Sequence, residues 1–248
     1  MQRSVTSDEG QDRLVPAVLA VLPILLVIVT FAWRTYARND IYMHTQALWE
    51  DVIAKSPGKP RGHYNLAKEY ENIGRLEDAV REYRLTVELN PIEVRSLYNL
   101  GTLFYREGRM EEAVIALKQA IERKPDYTRA HYNLGLAYVR QERLADAERS
   151  FREAIRLDRH DVDALSNLGS VYYLQNKLAE AIRTYQEVLQ VQPGNIDARM
   201  NLAKTYRKLG RIPEARAELE LVLQYQPSHT EAAAMMRALA AGDQRPHH

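Results

Sequence analysis

The chain contains no cysteine. Disulfides, thiolate zinc sites, iron–sulfur clusters and cysteine nucleophiles are thereby excluded, and the redox compartment stays open. Neither sign of charge is in excess: 34 Lys and Arg stand against 33 Asp and Glu, a net charge of +1 over 248 residues. A nucleic-acid coat or a polybasic membrane binder needs surplus positive charge on one face, so this balance argues against both. Phenylalanine is scarce, 3 against 15 tyrosines, which points to aromatics recurring at fixed, half-exposed positions. The seven histidines, His44, His63, His131, His160, His229, His247 and His248, are scattered. No His-Glu-x-x-His, glycine-rich phosphate loop or nucleophile elbow occurs. His63 and His131 read as packing groups between helices, and His247-His248 on a tail make a poor metal site. The expectation is no catalytic residue, no metal, no cofactor, no nucleic acid and no small-molecule substrate.

Charge is missing locally as well. Residues 15–33, VPAVLAVLPILLVIVTFAW, carry none. As a helix this run is about 28 Å long, close to the roughly 30 Å hydrocarbon thickness of a bilayer. Pro23 is tolerated in a membrane helix, and Trp33 and Tyr36 sit where an interfacial aromatic belt belongs. A cleaved signal peptide fits less well, because the run is long and no small-x-small site follows it. The expectation is a single-pass anchor over 15–37 behind a 1–14 tail. Arg3 and Arg13 on one side balance Arg34 and Arg38 on the other, so the positive-inside count is a tie. A short leading tail usually stays in the cytoplasm. That places the rest of the chain on the extracytoplasmic side, the periplasm if the source is bacterial.

The remainder obeys one period of 34 residues. Leucine recurs at Leu66, Leu100, Leu134, Leu168 and Leu202, each preceded by an asparagine: Asn65, Asn99, Asn133, Asn167 and Asn201. Four residues after each leucine comes an aromatic, Tyr70, Phe104, Tyr138, Tyr172 or Tyr206. Alanines follow at Ala79, Ala113, Ala147, Ala181 and Ala215, and prolines close the units at Pro91, Pro125, Pro193 and Pro227, with Arg159 in that place once. Leu100 and Phe104 lie i,i+4 on one helical face, with Gly101 allowing close approach of a neighbouring helix. Gly74, Gly108 and Gly210 suit the left-handed residue that ends a helix; Asn176 does the same, and Glu142 fits less well. Each unit is therefore a helical hairpin whose apolar stripe is buried only by stacking on the next.

These residues resemble the tetratricopeptide repeat (TPR) family. The resemblance implies an all-α, right-handed TPR solenoid behind the single N-terminal transmembrane helix. Its five units would span 60–93, 94–127, 128–161, 162–195 and 196–229, with Ala67 and Ala203 in the usual glycine position. A half-repeat over 40–59 would cap the start. A helix over 230–241, N-capped by Ser228 or Thr230, would cap the end before a disordered 242–248 tail.

In TPR domains the first helices line a concave groove that binds partner peptides. The resemblance thus nominates Asn65, Lys68, Arg95, Tyr98, Asn99, Tyr105, Arg106, Arg129, Tyr132, Asn133, Arg140, Asn167, Tyr173, Asn201, Lys204, Arg207 and Lys208 as groove residues. Their basic, tyrosine-rich character points to an extended or acidic segment of a protein partner; solvated helix-face charge is the plainer reading. The asparagine series has two roles open to it. Each amide matches a peptide group bidentately, as in peptide-glycosylating TPR enzymes, or bonds adjacent helices to one another. The first unit, with Tyr64 and Lys68, departs from the chaperone-binding carboxylate clamp. The function expected is a membrane-anchored adaptor or scaffold without enzymatic activity. The alternative is an accessory or remnant TPR region of a membrane glycosyltransferase system, because the stretch from Leu48-Trp49 to Asn65-Leu66 resembles the C-terminal part of such enzymes.

Overall fold

The computed structural model describes the backbone of residues 14–243 and the side chains of 26–35 and 45–240. Every regular element among these residues is a helix: α1 Leu14–Lys55, α2 Pro60–Asn72, α3 Leu76–Leu89, α4 Val94–Arg106, α5 Met110–Arg123, α6 Thr128–Arg140, α7 Leu144–Leu157, α8 Val162–Leu174, α9 Leu178–Val191, α10 Ile196–Lys208, α11 Ile212–Tyr225 and α12 Thr230–Asp243. The chain divides after Leu89 into two compact units, α1–α3 and α4–α12. In the second, α4/α5, α6/α7, α8/α9 and α10/α11 are hairpins stacked in chain order, and α12 covers α11. This is an all-helical TPR-like solenoid.

In the first unit, α2 and α3 form a hairpin and α2 packs on α1. The sequence suggests an anchor and a capping half-repeat with a boundary between them, but α1 runs unbroken from Leu14 to Lys55. No glycine or proline lies between Arg34 and Lys55 to break it. Its C-terminal end serves as the half-repeat helix, since Val52 and Ile53 press against Gly62 of α2 and Tyr70 donates to Glu50 at 3.2 Å. The side chains of residues 15–25 and 36–37 of the expected anchor and 40–44 of the expected half-repeat, with the 1–13 and 244–248 parts of the expected tails, lie outside the described residues. Residues 242–243 continue α12 rather than opening a disordered tail. Among the described residues no helix is long and apolar enough to cross a membrane.

One device closes every hairpin. The backbone N–H of Arg75, Arg109, Arg143, Lys177 and Arg211 donates to the carbonyl of Tyr70, Phe104, Tyr138, Tyr172 and Tyr206, at 2.8 to 2.9 Å. The same basic side chains lie over those rings, 4.5, 4.4, 4.5, 5.7 and 4.7 Å from the centroids. Four of them, the arginines, also bond an acid in the first turn of the next helix: Asp78, Glu112, Asp146 and Glu214. There the carboxylate complements the helix dipole as well.

The hairpin halves meet at small residues. Ala79, Ala113, Ala147, Ala181 and Ala215 are fully buried. A Cβ on Gly101, Gly135 or Gly169 would come 2.5 to 2.7 Å from Leu117, Phe151 or Tyr185, so these glycines let the two helices close. At the corresponding positions Ala67 and Ala203 are buried without exposure; the methyl is accommodated there.

The turn before each second helix requires a left-handed residue. Gly74, Gly108 and Gly210 take φ of 78°, 78° and 77°, while Asn176 and Glu142 are forced to 61° and 59°. Asparagine tolerates this region and glutamate does not. Glu142→Gly is therefore expected to stabilise the second unit by about 1 kcal/mol, read as a raised midpoint of thermal unfolding. The final cap also differs from expectation. His229 Nδ1, rather than Ser228 or Thr230, accepts the Ala232 N–H at 3.1 Å, because the imidazole reaches the N–H three residues on.

Candidate peptide-binding surface

All seventeen nominated residues lie on first helices of the hairpins: α2, α4, α6, α8 and α10. Asn65 and Lys68 belong to the first unit, the rest to the second. Asparagines and tyrosines are half-buried, and most of the basic side chains are exposed.

Two asparagines of the second unit, Asn133 and Asn167, are tied to a tyrosine of the preceding repeat. Asn133 Nδ2 donates to Tyr98 Oη and to Thr102 Oγ1, both at 3.2 Å. Asn167 Nδ2 donates to Tyr132 Oη at 3.3 Å and to the Asp163 carbonyl at 2.8 Å. The amide N–H groups of these two rungs are thus spent on inter-helix bonds, while their Oδ1 atoms have no protein partner among the described residues. Asn201 lacks the arrangement, because the preceding unit carries Ser166 where Tyr98 and Tyr132 stand. Rings brace the tyrosines: Tyr98 lies 5.0 Å from Tyr127, and Tyr132 lies 5.9 Å from Phe151. Burial, then the carboxylates of Asp163 and Asp161, push the Tyr132 phenol up from its ordinary value, so it remains a neutral hydroxyl.

The cations divide into engaged and free. Arg95 is held by Glu93, which caps α4 by accepting the Arg95 N–H at 2.9 Å and pairs with its guanidinium at 3.0 Å. Lys204 pairs with Glu231 at 2.8 Å. Arg140 lies 5.9 Å over the Tyr105 ring, and Lys208 lies 4.5 Å over Tyr173. Lys68, Arg129 and Arg207 are exposed without a partner among the described residues. Thr102 and Glu93 are the participants the sequence reading misses. A glutamate is an uncommon N-cap, and a threonine mid-helix gives no signal of its own.

The buried histidine is a bracing group. His63 Nδ1 faces Glu82 Oε2 at 2.7 Å and its Nε2 faces the Pro57 carbonyl at 3.0 Å. His131 Nε2 reaches the Pro125 carbonyl at 2.9 Å. Among the described residues no three His, Asp or Glu side chains converge on a point fit for a metal ion.

Stacked hairpins closed by a left-handed turn, with small residues at the helix crossings, define a helical-repeat protein of the solenoid class. Sequence models of the tetratricopeptide repeat match residues 60–93, 101–142, 132–196 and 172–239; over these residues the chain is built of tetratricopeptide repeats. It is similar to the protein O-mannosyl-transferase TMTC1 of Homo sapiens, 27% identical over 75 residues. It is also similar to TMTC1 of Mus musculus, 29% identical over 67 residues. These matches cover 30% and 27% of this chain, and the chain spans only 8% and 7% of those relatives. Among solved structures, YrrB, described as a TPR protein with an unusual peptide-binding site, superposes with a TM-score of 0.69 at 22% identity over 76% of this chain and 97% of its own. The C-terminal part of a TPR repeat-containing protein from Cytophaga hutchinsonii gives 0.73 at 15% identity, covering 84% and 86%. At such identities the likeness is one of fold.

Proposed function

We propose that this chain is a membrane-anchored adaptor whose first helices bind an extended, acidic segment of a partner polypeptide, without performing chemistry. The observation that carries the reading is the pairing on one set of helices of unengaged amide oxygens with unpaired cations. Asn133 and Asn167 offer acceptors for peptide N–H groups, and Arg129 and Arg207 offer charge for carboxylates. The peptide-binding site named for YrrB supports the use of the fold for peptides. The anchor rests on the uncharged 15–33 run. It is supported by the helix surface at Leu26, Val27, Ile28, Val29, Phe31 and Trp33, all more than half exposed, an apolar surface that suits lipid better than water. Confinement to a membrane surface would raise the effective concentration of the adaptor near membrane partners, with the repeats on the extracytoplasmic side. The similarity to TMTC1 favours a second reading, an accessory TPR region of a membrane glycosyltransferase system.

Because the chain has no cysteine, single introduced cysteines test the proposal. A photo-crosslinker on Asp163→Cys, an exposed residue beside Tyr132 and Asn167, is expected to capture a glutamate-rich alanine peptide, and the same group on exposed Ile115→Cys of α5 is not. Capture from Ile115→Cys alone would refute the surface assigned here. In cells, Ile92→Cys is expected to react with a membrane-impermeant maleimide; protection until lysis would reverse the orientation. Glycosyl transfer by the purified chain would replace the adaptor reading with an enzymatic one.

A further inference from the structure

The second helices carry a feature that the adaptor reading does not use. Between α7, the turn after it, α8 and α9 lies an open cavity of about 920 Å³. Its floor is apolar, with buried Leu165 and Leu168 and half-buried Ile155, and its exposed rim holds Arg152, Arg156, Arg159 and His160. Glu187 is the one carboxylate lining it among the described residues.

The other repeats act as internal controls. The positions of Arg152, Arg156 and Arg159 are held by Arg84, Glu88 and Pro91 in the first unit and by Lys118, Glu122 and Pro125 in the second. The fourth has Gln186, Gln190 and Pro193, and the fifth Glu220, Gln224 and Pro227. Three arginines coincide only in the third. The departure from proline at 159 is therefore not a neutral loss: it completes a cationic rim. Arg152 and Arg156 have carboxylates on their own helix, Glu148 at 3.8 Å and Glu153 at 2.8 Å. Arg159 has no partner among the described residues, and His160 is engaged only through its backbone N–H, by Asp158.

The turn beside the cavity is unbridged, as in the second repeat, where Leu97 and Ala116 hold the equivalent positions, and unlike the repeats on either side. In the fifth unit Arg199 fills the corresponding place, pairing with Glu218 at 2.7 Å and donating to the Pro193 carbonyl at 2.8 Å. In the third, His131 spans to Pro125. At the mouth of the fourth unit these roles fall to Leu165 and Thr184, neither of which reaches the carbonyl of Arg159. The turn is left unbridged beside an apolar floor.

We infer that this cavity is a second binding site, taking a short segment of a partner polypeptide in which one bulky apolar side chain is flanked by carboxylates. The concave floor accepts a side chain where a flat bilayer surface would not enter, and the rim charge complements acidic neighbours. The site is independent of the first-helix surface, since its lining comes from α7, α9 and the buried-side residues of α8.

The probe is a fluorescein-labelled dodecapeptide of Asp and Glu with one central leucine, titrated against the full chain by anisotropy. Arg159→Pro removes the unpaired cation while restoring the residue that the other units carry. Asp158 is already extended, at φ −136° and ψ 101°, as a residue before proline requires. Arg159→Pro with Arg156→Gln is expected to weaken binding about threefold to tenfold, most strongly at low salt, as loss of two exposed rim charges does. Leucine-to-glycine replacement in the probe is expected to weaken it as well. The pair Arg129→Glu and Arg207→Glu, on the first helices, should leave the leucine-dependent part of this binding in place and remove only what the first-helix surface contributes. Circular dichroism on each variant keeps folding separate from binding. No leucine-dependent binding by the unaltered chain, or its loss through the Arg129/Arg207 pair alone, would overturn the site. So would a rim variant that releases phosphatidylserine vesicles while still holding the peptide.

Discussion

Leu134→Ala is expected to lower the stability of the α4–α12 unit by about 2–5 kcal/mol, the larger loss that core truncations produce. Leu134 is 7% exposed and lies on α6, which packs on both α5 and α7. Gly135 beside it is already in tight contact with the Phe151 ring, so the crossing has little freedom to collapse into the space left by the missing methyl groups. In a stacked array each hairpin is stabilised through its neighbours, and a weakened inner interface uncouples what lies on either side. Thermal unfolding followed by circular dichroism should therefore shift by about 4–20 °C, at roughly 2–4 °C per kcal/mol for a unit of this size, and broaden. Ile115→Ala, at a residue 57% exposed on the neighbouring helix, should move the midpoint little, by about 0.5 kcal/mol or less. Equal shifts for the two variants would mean that the leucine series does not mark the core.

That series was legible because a 34-residue period repeats the same steric problem five times. An alanine or glycine at each crossing, an aromatic one turn past the leucine and a left-handed turn residue recur in register, and chance cannot supply that. Devices built from common residue types were not legible. The Arg75, Arg109, Arg143, Lys177 and Arg211 series looks like ordinary surface charge until the rings are seen beneath it. The unbroken α1 was hidden because an apolar and a polar stretch can share one helix when no breaker intervenes. The caps by Glu93 and His229 were hidden because neither is a preferred capping residue. At the candidate surface, the basic residues could be listed from the sequence. Which of them are already engaged depends on rotamers, as Arg95 on Glu93 and Lys204 on Glu231 show. The basic cavity required Arg152, Arg156 and Arg159 of one repeat to meet Leu165 and Thr184 of the next in space.

Glu82→Ala is expected to cost the first unit about 3 kcal/mol or more, because it leaves a buried imidazole facing an empty space. Glu82 and His63 are each 7% exposed, and both ring nitrogens of His63 face oxygen acceptors, Glu82 and the Pro57 carbonyl. Removing the carboxylate strands one polar end in a site that water barely enters. The protein itself contains the remedy. In the second repeat the two equivalent positions are Leu97 and Ala116, both buried, so an apolar pair is compatible with the same hairpin. His63→Leu with Glu82→Ala should accordingly recover most of the loss, giving a coupling energy of about 2 kcal/mol in a double-mutant cycle. The readout separates this unit from the other: both tryptophans, Trp33 and Trp49, lie on α1. Tryptophan fluorescence therefore follows α1–α3, while circular dichroism follows every helix. A fluorescence midpoint that falls for Glu82→Ala and returns in the double variant would establish the pair as a brace between α2, α3 and the Pro57 turn. If the double variant were no more stable than Glu82→Ala, shape rather than polarity would govern the position.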